Sequence, residues 1–228
     1  GAGIIKVGAG HQLFENAANT YSGATTINAG ILTARVLANG GSNSSIGSSS
    51  NAASSLVIGN GATFRYNGAA NAQSYEKVGT LTVSKGSTIQ VVRAAGAGSA
   101  TLEAAGITRG TNGTLSILHT AATLGIPTGT ATSYERLILT NGLTSIGALG
   151  GTTSNGSGVV NGGMVAPWII DATENSFVGY NPMGIGSGFQ ALLSTGSPAA
   201  GQIEYSARMT GTGTFTTGQT ASWVIPQA

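Results

Sequence analysis

Residues 56–66 read LVIGNGATFRY, a short apolar strand, a glycine turn and a second strand in which apolar and polar side chains alternate. Residues 81–91, LTVSKGSTIQV, and residues 107–117, ITRGTNGTLSI, have the same order of elements. The threonines that follow the turns are 25 and then 26 positions apart: Thr63, Thr88 and Thr114. A repeat of this length is typical of one rung of a solenoid, in which each turn of the chain stacks on the preceding one.

The strand after each turn has the two-residue periodicity of a half-buried β-strand. Its apolar side chains are separated by the polar residues Arg65, Gln90 and Ser116. Alternate side chains of a strand point to opposite faces, so the apolar set is predicted to face the core. We therefore expect Phe64, Ile89 and Leu115 to stack on one another in adjacent rungs.

A glycine marks each of the three turns, and two of these glycines follow an asparagine. Glycine adopts positive φ without steric cost and asparagine tolerates it, which favours a sharp corner at Gly61, Gly86 and Gly113. The alternative is a β-hairpin, because Asn-Gly is also a strong two-residue hairpin signal. The return of the same element at rung spacing favours the solenoid corner.

The composition predicts an all-β fold. Of 228 residues 38 are glycine, 7% are charged and 40% are hydrophobic, with no cysteine. Such a chain can bury a core but supplies few of the residues that fill exposed helix faces, so almost no helix is expected. We predict one module over residues 1–228, with further strands in four segments: Arg136–Thr140, Trp168–Ile170, Gln202–Met209 and Ser222–Ile225.

Residues 18–33, ANTYSGATTINAGILT, resemble the passenger-associated β-strand repeat of autotransporters, whose pattern is roughly N-T-Y-[ST]-G-x-T-x-I-x-x-G-x-L. The resemblance covers about residues 8–34. It implies a right-handed parallel β-helix displayed outside the cell, with roles in export, adhesion and self-association. In physical terms Tyr21 is expected to cap an edge of the core, and Gly30 to permit a bend.

A second block, at about residues 162–193, resembles a segment that recurs between such repeats in very large surface proteins of some bacteria. The residues that carry this looser resemblance are Gly162, Gly163, Trp168, Phe177, Tyr180, Gly184, Ile185 and Leu192. The block is atypical of the repeat and is predicted to belong to the same module.

Enzymes built on a β-helix need clustered carboxylates for general acid–base work or for binding calcium. This chain has one aspartate, Asp171, with Glu174 as a near neighbour. Both are predicted to be solvated turn residues. His11 and His119 are isolated in sequence. We therefore predict no enzyme activity, no metal site and no cofactor. The alternative is a carbohydrate-binding or polysaccharide-cleaving β-helix that uses Trp168, Tyr180 and Trp223 as sugar-stacking platforms.

The charge pattern argues against nucleic acid and membrane as partners. The net charge is +2, and the nine Lys and Arg residues are scattered rather than clustered. The longest nearly apolar run, residues 164–170, is far shorter than the ~20 residues that span a bilayer as a helix.

Self-association through terminal strands is the expected partnership, with a surface glycan as a further partner. β-Prone segments lie near both ends: Ile4, Ile5 and Val7 in the first, Trp223 and Val224 in the last. Unpaired strand edges pair with other chains unless charge or proline protects them, and protection here is thin. The sequence thus predicts an extracellular or cell-surface structural protein, the shaft of an adhesin or the protomer of a fibre.

Overall fold

The computed structural model describes residues 1–36, 42–48, 55–94, 98–120, 124, 134–140, 165–181 and 188–191. Within these ranges the regular structure is β-strand, with no helix. The strands are β1 (Ile4–Lys6), β2 (His11–Phe14), β3 (Thr25–Ile27), β4 (Ile31–Ala34), β5 (Leu56–Ile58), β6 (Thr63–Asn67), β7 (Gln73–Val78), β8 (Leu81–Val83), β9 (Ser87–Val92), β10 (Ser99–Ala104), β11 (Ile107–Arg109), β12 (Leu115–His119), β13 (Glu135–Leu139), β14 (Ile169–Asp171), β15 (Ser176–Asn181) and β16 (Gly188–Ala191).

Pairing joins these strands into three sheets. Sheet 1 has the order β1-β3-β5-β8-β11, sheet 2 the order β2-β4-β6-β9-β12-β14-β15-β16, and sheet 3 the order β7-β10-β13. The chain runs from sheet 1 to sheet 2 in two passages, β1–β2 and β3–β4. It then runs from sheet 1 through sheet 2 to sheet 3 in three passages, β5–β7, β8–β10 and β11–β13. We call each such passage a rung. From β1 to β14 every strand pairs in parallel with the strand one rung earlier or one rung later. The predicted all-β class is confirmed, and the sheets are largely parallel.

The core lies between the sheets, along columns of side chains that repeat from rung to rung. Phe64 lies opposite Leu32 in the preceding rung and opposite Ile89 in the next one. All three side chains are fully buried, whereas Arg65, the next residue along β6, is partly exposed. The predicted facing of Phe64 and Ile89 therefore agrees with the structure.

The predicted stacking of Ile89 on Leu115 is wrong by two residues. Ile89 lies opposite Ile117, and Leu115 lies opposite Ser87. The corner between β8 and β9 contains residues 84–86, whereas the corner between β11 and β12 contains residues 110–114 and is two residues longer. Two extra residues preserve the alternation of the strand, so Leu115 still faces the core and is fully buried.

Two of the three predicted corner glycines have positive φ, with values of 67° at Gly61 and 65° at Gly86. At the third corner Asn112 adopts it instead, with φ of 53°, so the prediction for Gly113 is wrong. The hairpin alternative is also wrong, because β5 pairs with β3 and β8 rather than with β6. The chain turns each corner and moves on to another sheet.

The parallel pattern ends after β14. β14 pairs antiparallel with β15, and β15 pairs antiparallel with β16. The predicted strands Arg136–Thr140 and Trp168–Ile170 are present as β13 and β14, each displaced by one residue. The predicted strands Gln202–Met209 and Ser222–Ile225 lie outside the described residues.

Candidate functional site

The first rung presents an edge to which no strand of the described residues is paired. β1 pairs with β3 on one side, and β2 with β4. Ile4 is half-buried, but the side chains of Ile5 and Val7 are 66% and 67% exposed. The unpaired backbone groups of such an edge, beside exposed β-branched side chains, form a template for pairing with another strand.

Lys6 lies at the same end of the stack. Its register partner is Ile27, a core residue, so Lys6 occupies a core-facing position in the first rung. The Lys6 Nζ donates hydrogen bonds to the carbonyl oxygens of Val7, Gly8 and Ala29, at 3.1, 2.6 and 2.9 Å. The ammonium group is therefore held by backbone acceptors at the end of the core.

The resemblance region, about residues 8–34, contains β2 of the first rung and both strands of the second, and the structure places Tyr21 and Gly30 at two of its close contacts. The half-buried Tyr21 hydroxyl lies 2.8 Å from Thr25 Oγ1, and burial raises the pKa of Tyr21 above its usual value. Gly30 has a φ of 69°, and a Cβ at this position would lie 2.4 Å from the carbonyl oxygen of Gly10. Gly30 thus allows two successive corners to stack closely.

Two titratable side chains lie inside the core at the far end of the parallel stack. Asp171 is opposite Ile117, and His119 is opposite Val91, so both occupy core-facing positions. His119 Nε2 lies 3.1 Å from Asp171 Oδ2, and both side chains are 0% exposed. Asp171 is therefore not a solvated turn residue, and that prediction is wrong. His119 is isolated in sequence but has Asp171 as its partner in the fold, because stacking joins residues that are distant in sequence.

The remaining polar groups around this pair are also hydrogen-bonded. Asp171 Oδ1 accepts the backbone N–H groups of Thr173 and Glu174, at 2.9 and 3.0 Å. Thr173 Oγ1 accepts the N–H of His119 at 3.0 Å and lies 3.1 Å from the carbonyl oxygen of His119, to which it donates. The pair therefore ties β12 to the turn after β14.

Glu135 is a second fully buried carboxylate in the same rungs. Its Oε1 accepts the N–H of Arg93 at 2.7 Å and the hydroxyl of Thr120 at 2.5 Å, while its Oε2 accepts the N–H of Thr120. In the part of the chain that the structure describes, every buried side-chain nitrogen or oxygen has a partner. The buried carboxylates therefore accept hydrogen bonds from donors of the protein itself. This arrangement is suited to holding loops in place.

Glu76 is a carboxylate in a different environment. It lies on β7 opposite Leu102, a fully buried residue of sheet 3, and burial raises the pKa of Glu76 from its ordinary value of 4.5 to about 7. Because the folded pKa lies above the unfolded one, the stabilising contribution is fully present below pH 4.5 and is lost as the pH rises through 7. Burial, with Glu76 as a second cause, also raises the pKa of Tyr66.

Two of the three aromatic residues proposed as sugar platforms are buried. Trp168 and Tyr180 are 9% and 3% exposed, so this prediction is wrong for both, while Trp223 and Val224 lie outside the described residues. Tyr75, on the outer face of sheet 3, is 50% exposed and lies opposite Thr101. In the next rung Arg136 lies opposite Thr101, and its guanidinium stacks 4.3 Å from the centroid of the Tyr134 ring.

Two kinds of site are absent from the described residues. They contain no group of three or more His, Asp or Glu side chains placed to hold a metal ion. None of their segments is a helix of the length and apolar character needed to cross a membrane.

The N-terminal rungs are similar to a known protein family. Residues 4–34 match the passenger-associated-transport-repeat, which confirms the resemblance drawn from residues 18–33. Over 87 residues the chain is 46% identical to the adhesin BmaC autotransporter of Brucella suis biovar 1 (strain 1330). The match covers 38% of this chain and 2% of that adhesin, so the chain spans a small part of the relative's length. No solved structure matches the chain.

Proposed function

We propose, on the premise that residues 4–34 are an autotransporter passenger repeat, that the chain is a surface-exposed segment of an adhesin-type passenger and acts as a structural or adhesive scaffold. The observation that carries this proposal is the continuity of the repeat with the later rungs. Its strands β1–β4 begin the same two sheets that β5, β6 and later strands extend. A scaffold of repeated rungs offers long outer faces for contact.

The finer fold assignment belongs to this proposal. Three sheets visited in repeated order, with parallel pairing one rung apart, are the arrangement of a parallel β-helix. We assign it the right-handed sense, because crossover connections between parallel strands are right-handed in nearly all cases. A non-enzymatic role at the cell surface is supported by the adhesin relative and by the internal pairing of the buried acids in the described part of the chain.

Adhesion and catalysis are separated by one experiment on the full chain. The purified chain is applied to an array of glycans and matrix proteins, and in parallel it is incubated with pectin and other polysaccharides. We expect saturable binding to at least one array component and no new reducing ends. Release of reducing ends in proportion to protein concentration, or binding no stronger than that of albumin, would contradict the proposal.

A glycan partner is favoured by one observation, the half-exposed Tyr75 on the outer face of sheet 3, because an exposed aromatic face is suited to apolar contact with a sugar ring. The array therefore includes Tyr75→Ala, with Leu13→Ala as the control at another exposed apolar side chain. If the glycan binds on sheet 3, Tyr75→Ala should lose the binding and Leu13→Ala should keep it. Equal retention by both variants excludes Tyr75 as the platform.

Self-association through the first rung is a further part of the proposal, with a second copy of the chain as the partner. Its support is the edge of β1 and β2 and the exposed Ile5 and Val7. We expect the average mass from light scattering to rise with protein concentration. Ile5→Lys with Val7→Lys should hold the chain monomeric at unchanged melting temperature, because charges on an edge oppose strand pairing.

The matched control for this experiment is Tyr75→Lys, which adds a charge at another exposed position and should leave the association unchanged. A wild-type chain that stays monomeric at the highest concentration would refute self-association. So would an equal loss of association in both lysine variants.

A further inference from the structure

We propose that the closing segment, defined as residues 165–181 and 188–191, is an end cap that terminates the parallel stack on sheets 2 and 3. This inference does not depend on the adhesive function. It rests on contacts that the segment makes with β12 and β13, the strands of the last rung in these two sheets.

On sheet 2 the closing segment adds one strand and then reverses. β14 pairs in parallel with β12, but the chain turns at residues 172–175 and β15 returns antiparallel to β14. Asn175 has a φ of 53° in this turn, and Asp171 Oδ1 binds two of its backbone N–H groups. The buried contact between Asp171 and His119 fixes the turn to the preceding rung.

The cap also touches β11, the last strand of sheet 1, through one side-chain contact, although Thr108 and Arg109 of β11 stay exposed. Trp168 itself belongs to the sheet 2 end of the cap, because its carbonyl oxygen accepts the N–H of Leu115, the first residue of β12, at 2.8 Å. The guanidinium of Arg109, the last residue of β11, lies 5.2 Å from the centroid of the Trp168 ring. A cation over an indole face is a favourable contact, and it holds the Trp168 ring beside the last strand of sheet 1.

On sheet 3 the cap satisfies the backbone of β13, the last strand. The Tyr180 hydroxyl accepts the N–H of Leu139 at 2.8 Å and donates to the carbonyl oxygen of Leu139 at 3.1 Å. β13 pairs with β10 on its other side, where Thr140 donates its N–H to Ala104. One phenol therefore supplies the donor and the acceptor that a following strand would have supplied.

β16 covers the same edge with its backbone. Gly188 has a φ of 118°, and a Cβ there would lie 2.6 Å from the carbonyl oxygen of Leu137. Phe189 is fully buried, and its ring packs edge-on against Tyr180 with centroids 5.1 Å apart. Only a glycine allows this close crossing of β13.

The two ends of the described stack therefore differ. At the first rung the Lys6 ammonium binds three backbone carbonyl oxygens, whereas the last rung is covered on sheets 2 and 3 by β14, Tyr180 and β16. Covering an edge is one of the ways in which β-proteins prevent pairing with other chains. We infer that the closing segment prevents the addition of a strand to β13 on sheet 3.

The test uses hydrogen exchange of the full chain, read by peptide, with Tyr180→Phe as the variant. Exchange at Leu139 and its β13 neighbours should become about ten-fold faster, as expected for the loss of a hydrogen bond that locks an edge, while β4 and β6 keep their protection. Tyr134→Phe is the control, because its hydroxyl also has a partner, Arg136 Nη2 at 3.3 Å, but outside the cap.

Gly188→Val is the second variant, in which the added side chain cannot fit against Leu137. We expect it to release β16 and to form dimers or larger species in light scattering through the uncovered β13. The cap is refuted if Tyr180→Phe leaves exchange in β13 unchanged, or speeds exchange equally in β4 and β6. If Gly188→Val does not fold, the exchange result with Tyr180→Phe decides alone.

Discussion

Replacing Phe64 with aspartate is expected to lower the free energy of unfolding by about 5 kcal/mol, which is comparable to the whole stability of many domains. Phe64 is fully buried between Leu32 and Ile89 in its column. The variant removes an aromatic side chain from a close-packed site and places a charge there without a partner. Loss of the β-sheet circular dichroism signal and of cooperative urea unfolding would be the readout.

Arg65→Ser is the matched control, because Arg65 is the next residue of the same strand and points to the outer face. Its Nε donates to Gln90 Oε1 at 2.7 Å, a partly exposed contact whose loss should cost about 1 kcal/mol or less. Similar melting shifts in Phe64→Asp and Arg65→Ser would show that the assigned facing of β6 is wrong.

Asp171→Ala is the second large effect, with an expected loss of about 3–5 kcal/mol. The variant leaves the buried His119 side chain without its carboxylate and removes the acceptor for the N–H groups of Thr173 and Glu174. Removing one side of a buried hydrogen-bonded pair is costly, because the other polar group stays in the core without its partner. Urea unfolding measured at neutral pH gives the difference.

A surface ion pair of the same length provides the control. Arg35 and Glu15 are also 3.1 Å apart, but their side chains are 52% and 60% exposed. Glu15→Ala should therefore cost less than about 1 kcal/mol. A double variant, His119→Leu with Asp171→Leu, should recover part of the loss, since apolar residues can replace a buried pair. Equal costs for Asp171→Ala and Glu15→Ala would contradict the structural role of the pair.

The facing of the strands could be predicted from residues close together in sequence. Side-chain alternation depends on neighbours two positions apart, and Phe64 and Ile89 are buried as that rule requires. The corner glycines Gly61 and Gly86 were also predictable, because positive φ is a local steric property of the residue. The passenger repeat at residues 4–34 is likewise carried by a short, specific pattern.

The register between rungs is not a local property. It depends on how many residues each corner contains, and the corner before β12 is two residues longer than the one before β9, so Leu115 lies opposite Ser87 instead of Ile89. The sequence showed that three strands share one period, but the length of each corner decides which side chains meet.

The composition and alternation of this sequence by themselves determined an all-β chain with apolar columns facing a core. The tertiary structure alone decided where those columns end. His119 and Asp171 are 52 positions apart, and Tyr180 is 41 positions from Leu139, so neither contact leaves a pattern in neighbouring residues. Such contacts arise when stacked rungs bring distant segments together, and burial then requires each polar group to find a partner among whatever residues arrive there.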